Sequence, residues 1–136
     1  MEWDRLQAPS PRENMHSELL MQRNRHEIDI GDRTGAAQFE FAAWLKLKNT
    51  DDLPVMLLLE YTDSRSTRWH IIDTARVRNI KGASLLSGRA EIEVKRLQEL
   101  KLYICHPSPK LIVEVDELRF NGDLVRKDFI DAFSVA

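Results

Sequence analysis

Hydrophobic and polar residues alternate most clearly in the segment Phe39–Lys48. Apolar side chains occupy every second position from Phe39 to Leu47, and the other face carries Glu40, Ala42, Trp44, Lys46 and Lys48. Successive side chains of a β-strand point to opposite faces of the sheet. The pattern therefore predicts a strand with one face in a core. It leaves a large aromatic side chain, Trp44, among charges on the other face.

Other apolar segments are separated by turns rich in Asn, Asp, Ser, Pro and Gly. The expected strands are Glu18–Arg23, Arg25–Ile30, Phe39–Lys48, Val55–Thr62, Arg68–Asp73 with a continuation over Ala75–Ile80, Leu85–Val94, Leu100–His106 and Leu111–Phe120. Strands that recur at roughly 8–12 residues predict an all-β fold, either an antiparallel β-sandwich or a barrel.

The length of 136 residues predicts one domain. We expect residues 1–14 to form a flexible N-terminal segment and residues 15–122 to form the β-sandwich. Residues 123–136 are expected to form a C-terminal tail or a short helix, because apolar residues recur there at helical spacing.

Composition narrows the class of partner. The net charge is −2 and the basic residues are spread along the chain, which argues against a nucleic-acid partner. No apolar stretch approaches membrane-spanning length, and the N-terminus has no apolar signal core. Two origins stay open: a cytoplasmic protein, or a domain of a longer, exported polypeptide. The single Cys105 is expected to be a small buried side chain, with a reactive thiol as the alternative.

Four phrases in order resemble the jelly-roll carbohydrate-binding modules of families four, nine and twenty-two, which have a galactose-binding-domain-like fold. They are FEFAAWLKLKN, PVMLLLEYTDSRSTRWHII, LQELKLYICHPSP and KLIVEVDELRFNG. The resemblance implies a jelly roll that binds a polysaccharide or oligosaccharide through a concave sheet face, without catalysis. Asp116 matches a closing-strand aspartate that helps to bind a structural calcium in the family. Its usual acidic partner has no counterpart before Leu19.

A sugar-binding face needs a flat aromatic ring for the C–H face of the sugar and planar polar groups for its hydroxyls. Alternation places Trp44, Tyr103 and Glu114 on outward faces of their strands. On the closing strand it places Val115 inward. The expected ligand-binding residues are Trp44, Tyr103, Glu114, either Arg23 or Arg25 as the guanidinium, and Trp69 at the rim. They would form one platform if their strands share a sheet.

Two other functional classes fit the sequence less well. One is a jelly-roll domain for protein interaction or homo-oligomerisation that has no sugar site, because family motifs are missing from the start of this chain. The other is an enzyme, which is disfavoured because the sequence has no Gly-rich phosphate loop, no Gly-x-Ser-x-Gly and no Cys/His cluster. The histidines at 16, 26, 70 and 106 lack metal-ligand spacing, and each is expected to be solvated or hydrogen-bonded.

Overall fold

The computed structural model describes residues 10–24, 27, 35–48, 52–77 and 82–125. The described residues form a short 3₁₀ turn, Pro11–Asn14, and seven strands. The strands are β1 (His16–Asn24), β2 (Gly35–Lys48), β3 (Leu53–Asp63), β4 (Ser66–Val77), β5 (Ser84–Val94), β6 (Leu97–His106) and β7 (Ile112–Val125). Among the described residues, no helix is long and apolar enough to span a membrane.

The strands form two antiparallel sheets. One sheet has four strands in the order β1-β6-β3-β4, and the other has three strands in the order β5-β2-β7. Strands that follow one another in the sequence are therefore often in different sheets, as in a β-sandwich with crossover connections. The prediction of an all-β antiparallel sandwich is confirmed.

The core lies between the two sheets and is built from the alternating inward residues of both. In β2 the inward set runs from Phe39 to Leu47, as the alternation predicted, and all five of its members are buried. Phe120 of β7 stacks on the rings of Phe39 and Phe41, with centroids 5.9 and 5.2 Å away. Burial of each large apolar side chain contributes about 1.5–3 kcal/mol. The core between the sheets therefore contributes strongly to the stability of the sandwich.

A β-bulge in β7 changes which residues face the core. Trp44 pairs with Glu117 whereas Leu45 pairs with Val115, so Asp116 is an extra residue in the closing strand. Val115 was expected to be buried in the core, but this partner of Leu45 is 46% exposed. Past the bulge the inward positions are Leu118 and Phe120, which pack against the core. An extra residue shifts the alternation of every position that follows it.

Two expectations near the strand ends need correction. Most of Arg25–Ile30, where a strand was expected, lies outside the described residues, but Glu27 has a helical backbone. Its amide donates to the Asn24 side chain and its carboxylate accepts from the Asn24 amide, both at 3.2 Å. This reciprocal pair has the hydrogen-bond pattern of a capping box. At the other end, β7 continues to Val125, three residues into the segment expected to be a tail or helix. Residues 126–136 lie outside the described chain.

One side of the sandwich is closed by a close approach of β4 to β5. The Asp73 carboxylate of β4 accepts a hydrogen bond from the amide of Ser87 in β5, at 2.9 Å. At Gly88, the next residue, an added Cβ would lie only 2.3 Å from the carbonyl oxygen of Ile72. Glycine is required at this position because the two backbones nearly touch. This contact joins an edge strand of one sheet to an edge strand of the other.

Candidate functional site

The predicted ligand-binding residues do not share one sheet. Trp44 lies on β2 and Glu114 on β7, both in the three-stranded sheet. Tyr103 lies on β6 and Trp69 on β4, both in the four-stranded sheet. All four face away from the central core, so the two pairs are on opposite outer faces of the sandwich. The condition for a single platform is therefore not met.

The guanidinium predicted for the platform also lies elsewhere. Arg23 is on β1, in the four-stranded sheet, and its Nη1 donates to the carbonyl oxygen of Gln22 at 2.9 Å. Arg25 lies outside the described residues. Neither arginine is placed beside Trp44 by the described structure.

The outer face of the four-stranded sheet is covered around Tyr103. This side chain is only 8% exposed and belongs to a small cluster with Leu58 and Cys105. Met15, Met56 and Trp69 pack against the cluster. The guanidinium carbon of Arg12 lies 4.2 Å from the centre of the Tyr103 ring. Neither face of Tyr103 is therefore open to a ligand in this arrangement.

Glu114 and Asp116 lie on the exposed part of β7, next to lysines of β2. Glu114 is 3.5 Å from the ammonium of Lys48, and Asp116 is 3.9 Å from that of Lys46. No group of three or more His, Cys, Asp or Glu side chains among the described residues is arranged to hold a metal. Calcium requires six or more oxygen ligands, several of them carboxylates. The surroundings of Asp116 do not fit such a site.

The outer face of the three-stranded sheet carries a groove of about 810 Å³, a volume typical of ligand sites. The groove crosses all three strands. Its centre is Ala42 of β2, which pairs with Ser87 of β5 on one side and with Arg119 of β7 on the other. In the adjacent row Glu40 lies between Arg89 and Asn121. We call this surface, with its ten lining residues Glu40–Ala42, Ser87–Arg89 and Leu118–Asn121, the three-strand groove.

Trp44 borders the three-strand groove one row beyond Ala42. It is half-buried, and its strand neighbours are Leu85 and Glu117. The guanidinium carbon of Arg119 lies 5.2 Å from the centre of the Trp44 ring system. A cation over an exposed aromatic ring contributes only about 0.5–1 kcal/mol. Arg119 therefore covers the ring with a contact that a ligand can replace.

Two arginine–carboxylate pairs flank the small side chain of Ala42. Arg89 Nη2 lies 3.4 Å from Glu40, and Arg119 Nε lies 3.0 Å from Glu117. All four side chains are about half exposed or more, so these pairs contribute little to stability. Planar guanidinium and carboxylate groups offer paired donors and acceptors at fixed spacing. This is the chemistry that neighbouring hydroxyls of a sugar require.

The alternation of β2 identified Glu40 as outward, but the role of Arg119 was missed. Inward positions counted from Leu111 and Val113 along β7 would place residue 119 inward. The bulge at Asp116 turns it outward. The available signal was the pair of successive charged residues Asp116 and Glu117, after which the apolar residues resume at Leu118 and Phe120.

His106 departs from the expectation that each histidine is solvated or hydrogen-bonded. It is 2% exposed, and neither ring nitrogen has a hydrogen-bond partner among the described residues. The ring stacks on that of His16, with centroids 5.9 Å apart. Burial lowers the pKa of His106. The side chain packs at the end of β6. This strand belongs to the four-stranded sheet, so His106 does not line the three-strand groove.

Comparison with known proteins gives a fold likeness without a sequence relative. No protein-family model and no curated protein matches the sequence significantly. One similar solved structure contains the CBM22-1 and GH10 modules of endo-1,4-β-D-xylanase 10B from Clostridium thermocellum, complexed with xylohexaose. The match has a TM-score of 0.54 and 13% identity, and it covers 79% of this chain but 24% of the xylanase chain. The chain thus shares the fold of part of a much longer glycan-active protein.

Proposed function

We propose that this chain is a non-catalytic carbohydrate-binding module whose ligand lies in the three-strand groove. The observation that carries the proposal is the groove itself. It is lined by Glu40, Arg89 and Arg119, and Trp44 and Glu117 border it on the outer face of the same sheet. The fold likeness to a xylanase structure that contains a CBM22-1 module supports the same class of ligand.

Binding would proceed by exchange of weak contacts within the protein. A sugar ring displaces the guanidinium of Arg119 from the Trp44 ring and stacks its C–H face there. Arg119, Glu117, Arg89 and Glu40 then bind the hydroxyl groups of adjacent rings. Ala42 leaves room at the centre of the groove, because it projects only a methyl group. No covalent bond is made or broken in this process.

The expected affinity is modest. The groove is open and each polar contact competes with water, so we expect millimolar to micromolar dissociation constants, or about −4 to −8 kcal/mol. The xylanase structure is complexed with xylohexaose. A β-1,4-xylan oligosaccharide is therefore the first probe, followed by soluble β-glucans.

The first test is substitution of Trp44 by alanine. Loss of the stacking surface is expected to weaken binding of xylohexaose at least tenfold, equivalent to about 1.4 kcal/mol, while the fold stays intact. Isothermal titration calorimetry measures the affinity, and circular dichroism checks the fold. Trp69→Ala is the matched control, because Trp69 is also half-buried but lies in the other sheet.

Equal loss in the two variants, or loss in Trp69→Ala alone, would contradict the assignment of the groove. A wild-type chain that binds none of the tested xylans and β-glucans would contradict the function itself.

A second candidate function is protein interaction or self-association through the same sheet. It is favoured by three large exposed apolar side chains on β5 and β7: Leu85, Ile112 and Val115. Apolar residues that are exposed together often mark an interface. A dimer that buries Trp44 and binds no glycan is the result expected from this alternative.

A further inference from the structure

The turn Pro11–Asn14, which precedes β1, lies on the outer face of the four-stranded sheet. Its shape is set locally: the amide of Glu13 donates to the Ser10 carbonyl at 3.0 Å, and that of Met15 donates to the Arg12 carbonyl at 3.2 Å. The Ser10 hydroxyl caps the turn by accepting from the Arg12 amide. No residue of the turn is buried. A segment with so little burial opens at a small free-energy cost.

The side chain of Arg12 is held by two groups of the sheet. Its Nε and Nη2 donate to the two carboxylate oxygens of Glu60, at 3.2 and 3.3 Å. Its guanidinium carbon lies 4.2 Å from the centre of the Tyr103 ring. The paired hydrogen bonds and the stacking both require a flat guanidinium. The Glu60 carboxylate also raises the pKa of Arg12.

The carboxylate of the Arg12–Glu60 pair is less exposed than those of three other arginine–carboxylate pairs among the described residues. The carboxylates of Asp52, Glu40 and Glu117 keep 48–54% of their surface exposed in their pairs with arginine. The Glu60 side chain keeps only 13%. A carboxylate withdrawn from water and placed beside an aromatic ring gains more from a charged hydrogen-bond donor than one on an open surface. Glu60 and Tyr103 belong to the sheet, whereas Arg12 belongs to a turn that has no buried residue.

We propose that Glu60 and Tyr103 form a binding site for an arginine side chain, which the chain's own Arg12 occupies, and that an arginine-bearing peptide competes with the N-terminal turn for this site. The two groups lie on neighbouring strands, β3 and β6, whose backbone pairing does not involve the turn. The proposal concerns the opposite face from the three-strand groove and stands whether or not that groove binds a glycan.

Cys105 provides a reporter of the site. It is the single cysteine of the chain, it is fully buried, and it belongs to the cluster with Tyr103 against which Met15 packs. Burial raises the pKa of its thiol to about 11. Both features slow its reaction with a disulfide reagent, because the reagent needs contact with the thiolate. Detachment of the turn is expected to expose the thiol and to speed the reaction.

The experiment measures the rate at which Ellman's reagent modifies Cys105 in the full chain. Arg12→Ala is expected to raise the rate about tenfold or more, since the turn loses its anchor. Millimolar N-acetyl-arginine amide is expected to restore the protection of Cys105 in this variant by binding to Glu60 and Tyr103 in place of Arg12. N-acetyl-lysine amide at the same concentration is expected to restore much less, because it lacks the planar pair of donors.

Three variants serve as controls. Arg76→Ala removes another arginine that pairs with a carboxylate, Asp52, and is expected to leave the rate unchanged. Arg12→Lys keeps the charge and is expected to give an intermediate rate, which keeps the test usable if Arg12→Ala fails to fold. Arg12→Ala combined with Glu60→Gln is expected to abolish the rescue by the arginine compound.

An unchanged rate in Arg12→Ala would overturn the proposal, as would equal protection by the arginine and lysine compounds. Protection of the Arg12→Ala variant by xylohexaose, without protection by the arginine compound, would also overturn it and would assign this face to sugar.

Discussion

Trp44 and Tyr103 both point outward from their strands, yet they have different neighbours. Trp44 is half-buried beside an open groove, with Arg119 at 5.2 Å. Tyr103 is 8% exposed beneath Arg12 at 4.2 Å. Alternation along a strand predicts the direction in which a side chain points. It does not predict whether other residues pack over that side chain, because those residues are distant in the sequence. The outward direction of each ring could be predicted, whereas its accessibility depended on arginines that no local pattern identifies.

His106 shows the same limit for a polar side chain. It stands at the end of a strand before Pro107, where solvent exposure is usual, but it is buried against His16. Burial disfavours the charged imidazolium and lowers the pKa of His106, although the Ser108 backbone and the Glu18 carboxylate favour the charged form. In the unfolded chain the imidazole titrates near its ordinary value of about 6.5.

Acidification is therefore expected to destabilise the fold through His106. Below about pH 6.5 the unfolded chain binds a proton that the folded chain does not, so the free energy of unfolding falls as the pH drops toward the lowered folded pKa. Urea denaturation at pH 7.5 and pH 5.5 measures the change. His106→Leu is expected to reduce this difference, whereas His70→Gln retains it. An equal pH dependence in wild type and His106→Leu would contradict the account.

At the scale of elements, strand positions could largely be predicted but sheet membership could not. Seven of the expected strand segments coincide with β1–β7, because alternation and turn residues act locally. Which strands pair depends on contacts between residues far apart in the chain, such as those of β1 with β6. Bulges at Ile72 and Asp116 add a second limit, since each shifts the alternation within a single strand.

The close approach of β4 to β5 depends on Gly88. Gly88→Ala would place a methyl carbon 2.3 Å from the Ile72 carbonyl oxygen, and a backbone atom cannot rotate away as a side chain can. We expect a loss of at least about 2 kcal/mol in the free energy of unfolding, measured by urea denaturation. Ser87→Ala is the neighbouring control and is expected to change it by less than about 0.5 kcal/mol. Equal stability of the two variants would show that the strands can separate at this point.

At the scale of the whole molecule, the two outer faces of the sandwich are used differently. The three-stranded sheet presents an open groove with Trp44, Ala42 and Arg119. The four-stranded sheet carries Tyr103 and Trp69 on its outer face, and Arg12 of the chain's own N-terminal turn packs over Tyr103. Three of the expected ligand-binding residues, Tyr103, Trp69 and Arg23, belong to this second sheet. The site that the sequence predicted is thus divided between two faces, and the groove is completed by residues that alternation alone did not select.

Nuclear magnetic resonance of the tryptophan indole N–H groups tests the central claim most directly. The chain has three tryptophans, and two of them, Trp44 and Trp69, lie in the described residues on opposite faces. During titration with xylohexaose, and then with soluble xylans and β-glucans, we expect the Trp44 indole signal to shift in a saturable manner. The Trp69 signal is expected to stay in place. A saturable shift of Trp69 with Trp44 unmoved, or no shift of either with any of these glycans, would contradict glycan binding in the three-strand groove.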